Sequence, residues 1–164
     1  MSNDYEALRT APYQDQLDAV TKNGKLIQFI TNPSKELRVA ALREYGAAIR
    51  FISNPDEEEQ LIAVNYRITT IRDIENPTPL VQERAMSEHG HFLRLIKSPT
   101  ENAKRIALSN YGYAIVDIED QTEELQLLAI KQNFMSISRI KTPTDNAKEL
   151  SAALKQEFLK KCKG

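Results

Sequence analysis

The chain has 164 residues, of which 27% are charged and 41% hydrophobic, and its formal net charge is −1. This composition is typical of one globular domain and excludes a disordered or fibrous chain. The balanced charge excludes a generally basic nucleic-acid coat, and the single cysteine, Cys162, excludes an intramolecular disulfide and a thiolate zinc cluster. Because no apolar run approaches the roughly 20 residues of a membrane span and no signal-peptide pattern opens the chain, we expect a cytoplasmic protein.

Residues 1–10 form an N-terminal segment, and from residue 11 onward the sequence repeats every 22 residues. Prolines recur with this period at Pro33, Pro55, Pro77, Pro99 and Pro143. Glycines recur with it at Gly24, Gly46, Gly90 and Gly112. Alanines form a further column at Ala19, Ala41, Ala63, Ala85, Ala107 and Ala129, and isoleucines another at Ile30, Ile52, Ile74, Ile96, Ile118 and Ile140. Self-similarity at a fixed period indicates a repeat array.

The copy at residues 32–54 shows the structure that we predict for each repeat. Asn32 is expected to cap a long helix, with Pro33 at the first helical position, where its missing N–H costs nothing. Gly46 is expected to end that helix through a positive φ, and a shorter helix is predicted from Ala47 to Ser53. The predicted cap column continues at Asn54, Asn76, Ser98, Asp120 and Thr142.

Two copies depart from the glycine column, with Ile68 and Phe134 in its place. A positive φ is costly for a branched side chain, so we predict that these two turns avoid it; one bent helix is the alternative. The end repeats also depart from the pattern, as repeats that face water do. Asp15 and Asp18 lie in the first long helix, and lysines cluster around Cys162 in the last repeat.

This pattern predicts an all-α fold, a right-handed α-solenoid of about seven 22-residue helix–turn–helix repeats. A single domain is expected over residues 11–164, with residues 143–164 as its C-terminal capping unit. One repeat has only about five apolar side chains, worth roughly 1.5–3 kcal/mol each when fully buried, so it cannot be stable alone. Stacking on neighbouring repeats is therefore expected to supply the stability.

The motif around the first repeat boundary resembles a known family. The motif consists of Ala19-Val20, Asn23-Gly24 and Asn32-Pro33-Ser34, with Ile27, Ile30 and Glu36 at their spacings. It resembles a 22-residue two-helix repeat family of unknown function in bacterial and phage proteins. The unit is also similar to helical variants of leucine-rich repeats. The resemblance implies the fold and no catalytic residue. Its association with phages implies, by analogy, an inhibitor or adaptor that binds a host protein.

The sequence carries no constellation that points to an enzyme, a metal or a cofactor. His89 and His91 are separated by one residue, and no further metal-binding motif accompanies them. His89 falls in a variable column, so a surface histidine is the favoured interpretation. Cys162 is far in sequence from both histidines, which makes a cysteine–histidine nucleophile improbable. We therefore predict a protein without catalytic residues, bound metal or cofactor.

Two columns outside the core are candidate sites for binding a partner protein. The first, in the short helices, holds Arg50, Arg72 and Arg94. The second, just before the glycine, holds Tyr45, Arg67, His89 and Tyr111. Arginine and aromatic residues are common anchors of protein interfaces. The alternatives are that the arginines pair with acids in the first helical turns and that the tyrosines are partly buried between repeats.

A third column recurs too regularly for a specific site, and we predict that it hydrogen-bonds between repeats. It comprises Gln16, Arg38, Gln60, Gln82, Lys104, Gln126 and Lys148. The sequence thus favours a protein-binding module. The alternatives are nucleic-acid binding along the arginine column, which few positive charges support, and homo-oligomerisation through the end repeats.

Overall fold

The structure is a computed structural model that describes residues 3–163. In this range the chain is helical and contains no β-strand. The α-helices are α1 (Asn3–Thr10), α2 (Tyr13–Lys22), α3 (Lys35–Glu44), α4 (Glu57–Tyr66), α5 (Pro79–Glu88), α6 (Glu101–Asn110), α7 (Glu123–Gln132) and α8 (Asp145–Lys161). The 3₁₀ helices are η1 (Gly24–Phe29), η2 (Gly46–Phe51), η3 (Ile68–Asp73), η4 (Gly90–Leu95), η5 (Gly112–Asp117) and η6 (Phe134–Arg139).

The helices follow the period of the sequence. From α3 to α8 each α-helix starts one full sequence period after the helix before it, and the 3₁₀ helices from η1 to η6 keep the same spacing. The predicted alternation of a longer and a shorter helix is therefore confirmed. The shorter helix differs in type and bounds: it is a 3₁₀ helix that starts at Gly46 and ends at Phe51, rather than a helix from Ala47 to Ser53.

The described chain divides into two compact units, one up to Val81 and one from Gln82. In the first unit, α3 packs between α2 and α4, and η2 packs between η1 and η3. In the second unit, α7 packs between α6 and α8, and η5 packs between η4 and η6. Each unit therefore combines a layer of α-helices with a layer of 3₁₀ helices.

The apolar columns form the core, as predicted. The side chains of the alanine column after Ala19 are fully buried, at Ala41, Ala63, Ala85, Ala107 and Ala129. The isoleucines that follow the 3₁₀ helices are between 2% and 7% exposed, at Ile30, Ile52, Ile74, Ile96, Ile118 and Ile140. Small alanine side chains let neighbouring backbones approach closely, while the isoleucines are large apolar side chains whose burial stabilises the fold.

The predicted cap column is wrong by two residues. Asn32 and Asn54 do not cap helices; they adopt φ of 50° and 49° in the turn before the helix. The side chain of Ser34 instead accepts the Leu37 N–H, because the helix starts two residues after the proline. The observed caps with such a hydrogen bond are Ser34, Asp56, Thr100 and Thr144, and Thr122 stands at the same position. The other predicted caps also lie too early in the chain to cap their helices: Asn76, Ser98, Asp120 and Thr142.

The predicted role of the glycines is also wrong. Among the described residues no glycine has a positive φ, so Gly46 does not end its helix through left-handed backbone. Glycine is required at these positions because the next α-helix packs closely against them. A Cβ at Gly112 would overlap the carbonyl oxygen of Ala129, and a Cβ at Gly46 would lie 2.6 Å from Cβ of Tyr66. The turns at Ile68 and Phe134 avoid a positive φ, as predicted.

Buried glutamines connect consecutive repeats, as predicted for the third column. Gln60 donates to the carbonyl of Pro55 at 2.9 Å and accepts the Thr78 N–H at 3.0 Å. Gln126 does the same with Gln121 and Thr144, at 2.8 and 2.9 Å. A buried amide that uses both its donor and its acceptor avoids the desolvation penalty of an unpaired polar group.

The other members of this column behave differently from one another. Gln82 accepts the Thr100 N–H at 2.8 Å, and Gln16 donates to the Leu8 carbonyl at 3.1 Å. The Arg38 Nε lies 2.9 Å from Oε1 of Glu59 in the next repeat. The lysines form ion pairs within their own helices, Lys104 with Glu101 and Lys148 with Asp145. The prediction of contacts between repeats therefore holds for Gln60, Gln82, Gln126 and Arg38. It is wrong for the lysines, and Gln16 contacts the N-terminal segment instead of another repeat.

We expect Gln126→Leu to lower the free energy of unfolding by about 1–3 kcal/mol, because the Thr144 N–H and the Gln121 carbonyl lose a buried partner. Urea denaturation followed by circular dichroism measures this change. The matched control is Gln156→Leu on the exposed side of α8, which should change stability by about 0.5 kcal/mol or less. Equal losses in the two variants would contradict a bridging role for Gln126.

We expect Gly112→Ala to destabilise the protein by about 1–3 kcal/mol, because the new methyl group meets a backbone oxygen that cannot move aside. The same Cβ would lie 2.7 Å from Oγ of Ser136. Adding Ser136→Gly removes only that second contact and should not restore the midpoint of thermal unfolding. Full rescue by the second substitution would show that the backbone of Ala129 is not the obstacle.

Candidate functional site

The residues of the second candidate column occupy equivalent places in the backbone. Tyr45, Arg67, His89 and Tyr111 each stand between an α-helix and the following 3₁₀ helix, with φ between −142° and −158°. This extended residue interrupts the helix, and its N–H bonds to the carbonyl four residues before it. One junction residue per repeat is therefore free to vary without disturbing the core.

The arginines of the first candidate column lie in the last turns of η2, η3 and η4 and are exposed. Arg50 donates from Nε to the Ala47 carbonyl at 3.2 Å and pairs through an NH2 group with Asp73 at 3.1 Å. Its acidic partner lies in η3, so the alternative of pairing with an acid in a first helical turn is wrong for Arg50. Arg72 forms no ion pair with any described residue.

Four of the predicted residues meet in one cleft of the unit that ends at Val81. The cleft has a volume of about 220 Å³ and lies between η2, the end of α4 and η3. The predicted residues that line it are Tyr45, Arg50, Arg67 and Arg72. Asp73 is its one carboxylate, and its side chain is 20% exposed and paired with Arg50. We call this surface the arginine–tyrosine cleft.

Tyr66 also lines the cleft and was missed in the sequence. It is the last residue of α4 and is 52% exposed. Its stem packs on Gly46, where an added Cβ would come within 2.6–2.9 Å of Tyr66 atoms. At the equivalent position of other repeats, Glu44 and Gln132 accept the N–H of a glycine in the preceding repeat. The tyrosine departs from these polar residues, and that departure was the feature of the sequence that could have identified Tyr66.

The other predicted residues lie in the unit that begins at Gln82, and two of them belong to an aromatic cluster. The ring centroids of His89 and His91 are 5.6 Å apart, and those of His91 and Phe92 are 4.0 Å apart. His91 also contacts Tyr111 at 6.0 Å, and Tyr111 contacts Tyr113 at 5.8 Å. Such edge-to-face and tilted pairs stabilise one another and place a row of rings near the surface.

Burial of the His91 ring, together with nearby charges, disfavours its protonated form. Burial lowers the pKa of His91, and the charges of His89 and Arg94 lower it further. Burial also raises the pKa of Asp117, against the opposing effect of Arg94. At pH 7 the side chain of His91 is therefore an uncharged imidazole.

The remaining features do not add a chemical centre. Within residues 3–163 no group of three or more histidine, cysteine, aspartate or glutamate side chains is arranged to hold a metal ion. Cys162 is an exposed thiol that follows α8. None of the described helices is both long and apolar enough to cross a membrane.

Comparison with known proteins leaves the family open. No protein-family model, curated protein or solved structure matches the chain. The resemblance to the 22-residue repeat family therefore stays a prediction.

We expect the His91 ring to titrate below its ordinary pKa of 6.5, and His89→Asn to move the midpoint up towards that value. Because the folded state binds this proton less readily than the unfolded state, stability should fall as the pH drops through 6.5 and below. Histidine ring signals followed by NMR between about pH 7 and about pH 5 measure the midpoint. A midpoint at or above 6.5 in the wild type would contradict the effect of burial.

Proposed function

We propose that the chain is a non-enzymatic protein-binding module, a right-handed α-solenoid of about seven repeats that contacts its partner through the variable columns. The observation that carries the proposal is the convergence of Tyr45, Arg50, Arg67 and Arg72 on one cleft. By analogy with the resembled family, the module is an inhibitor or adaptor that acts on a protein of a host cell.

The side-chain chemistry of the cleft supports a protein partner. Arginine and tyrosine are enriched among the residues that contribute most to protein interfaces, because each combines a large contact area with directed hydrogen bonds. Arg50 is held by Asp73 and Ala47, so its guanidinium is already positioned before a partner arrives. Preorganised side chains lose less conformational entropy on binding.

Nucleic-acid binding is the less favoured alternative. The cleft holds three arginines, but Asp73 pairs with one of them, and the net charge of the whole chain is −1. A surface that neutralises only two or three phosphates loses its affinity at moderate salt. A protein partner needs no such excess of positive charge.

A photo-crosslinking amino acid at position 66 should capture a specific protein from the lysate of the host cell after nuclease treatment. The matched control carries the same amino acid at Leu80, which is 49% exposed and lies outside the cleft. Adding Arg67→Glu to the first variant should reduce the captured protein roughly tenfold, since an interface anchor is lost. Mass spectrometry identifies the product. Equal capture from both positions, or a product that disappears with nuclease, would contradict the proposal.

A further inference from the structure

We propose that the arginine–tyrosine cleft binds an extended acidic segment of the partner protein, through carboxylates that pair with Arg67 and Arg72. This inference rests on the proposed function and specifies the chemistry of the partner. Its starting point is a contrast among the three arginines of the cleft. Arg50 has a carboxylate partner, whereas Arg67 and Arg72 form no ion pair with any described residue.

The Arg50–Asp73 pair shows how the cleft holds a carboxylate. Asp73 reaches Arg50 from the following repeat, with an oxygen 3.1 Å from a guanidinium nitrogen. Guanidinium groups bind carboxylates in a planar, directed geometry, and the pair is stronger where one side is sheltered from water. Arg67 and Arg72 line the same cleft, so a second and a third carboxylate from outside would complete the charge balance.

The shape of the cleft suits a chain segment rather than a small organic ligand. Its volume of about 220 Å³ is smaller than the roughly 300–1,000 Å³ of typical small-molecule pockets. That space accommodates individual side chains of a segment that continues along the surface. Extended backbone between those side chains can accept hydrogen bonds from the exposed guanidinium groups.

The two tyrosines give the segment an apolar contact. The Tyr66 ring stands at the edge of the cleft because Gly46 leaves room for its stem. The Tyr45 ring is half-buried, and Nζ of Lys25 lies 5.0 Å from its centroid. Aromatic faces pack against the aliphatic parts of a peptide at low entropic cost.

The charge pattern favours a peptide over a nucleic acid. Asp73 stands within the cleft, so a continuous polyphosphate chain would meet a carboxylate there. A peptide can place an uncharged residue opposite that acid and carboxylates opposite Arg67 and Arg72. Discrete charges on a flexible chain therefore fit this surface better than a uniformly charged backbone.

Fluorescence anisotropy with a fluorescein-labelled peptide of alternating glutamate and serine tests the inference on the full chain. The wild type should bind this peptide and not its glutamine–serine twin, and binding should weaken with added salt. The double variant Arg67→Glu/Arg72→Glu should weaken binding by about tenfold or more, since each reversed pair changes affinity several-fold.

The matched control is Lys22→Glu/Arg43→Glu, which makes the same change of net charge at exposed positions of the same unit that do not line the cleft. It should bind the peptide with an affinity within about twofold of the wild type if the two sites are independent. Thermal unfolding of both double variants shows that each is folded. Equal weakening in the two variants would overturn the inference, because it would reduce the effect to net charge.

A labelled oligothymidylate is the second probe. The inference is overturned if this strand binds as tightly as the acidic peptide and depends in the same way on Arg67 and Arg72. It is also overturned if the wild type binds neither probe. In that case, continued crosslinking of a partner at position 66 would still support the proposed function. Loss of crosslinking would contradict both the proposed function and this inference.

Discussion

The structure depends on buried glutamines that connect one repeat to the next at several places along the array. Gln60 and Gln126 each donate to a carbonyl at the start of their own helix and accept the N–H of a threonine that begins the following helix. Because both glutamine side chains are buried, a shift of register by one residue would leave their polar atoms without these partners. Where a glutamine is present, this constraint favours one register between neighbouring helices.

The same regularity creates the surface on which function can vary. Since the apolar columns fill the core, the junction residue and the residue equivalent to Arg50 in the 3₁₀ helix stay at or near the surface. In the unit that ends at Val81 these places hold Tyr45, Arg67, Arg50 and Arg72, and they form one cleft. In the unit that begins at Gln82 the junction places carry His89 and Tyr111, which belong to a cluster of rings. One backbone plan thus supports two surfaces of different chemistry.

Most residues of the candidate site could be predicted from the repeating columns of the sequence, whereas their contacts and one further residue could not. The columns identified the arginines and junction residues because equivalent positions of a repeat share an environment. They did not show that Asp73 pairs with Arg50, since two short helices must pack before that distance is set. They also did not identify Tyr66, which comes close to Gly46 only when α4 packs against η2. The cap column erred because asparagine and threonine both cap helices, and a proline between them does not indicate which of the two precedes the first helical turn.

The sequence by itself determined the all-helical class, the length of the repeat and the identity of the core columns. Those features follow from the local helix propensity and from the spacing of the apolar residues, because a regular helix places residues of a given spacing on one face. The tertiary structure decided that the second helix of each repeat is a 3₁₀ helix and that the glycines make room for the neighbouring helix. It also decided that four residues from two adjacent copies line one cleft. These depend on distances between segments that lie a whole repeat apart in the chain, and close packing sets such distances only after the chain has folded.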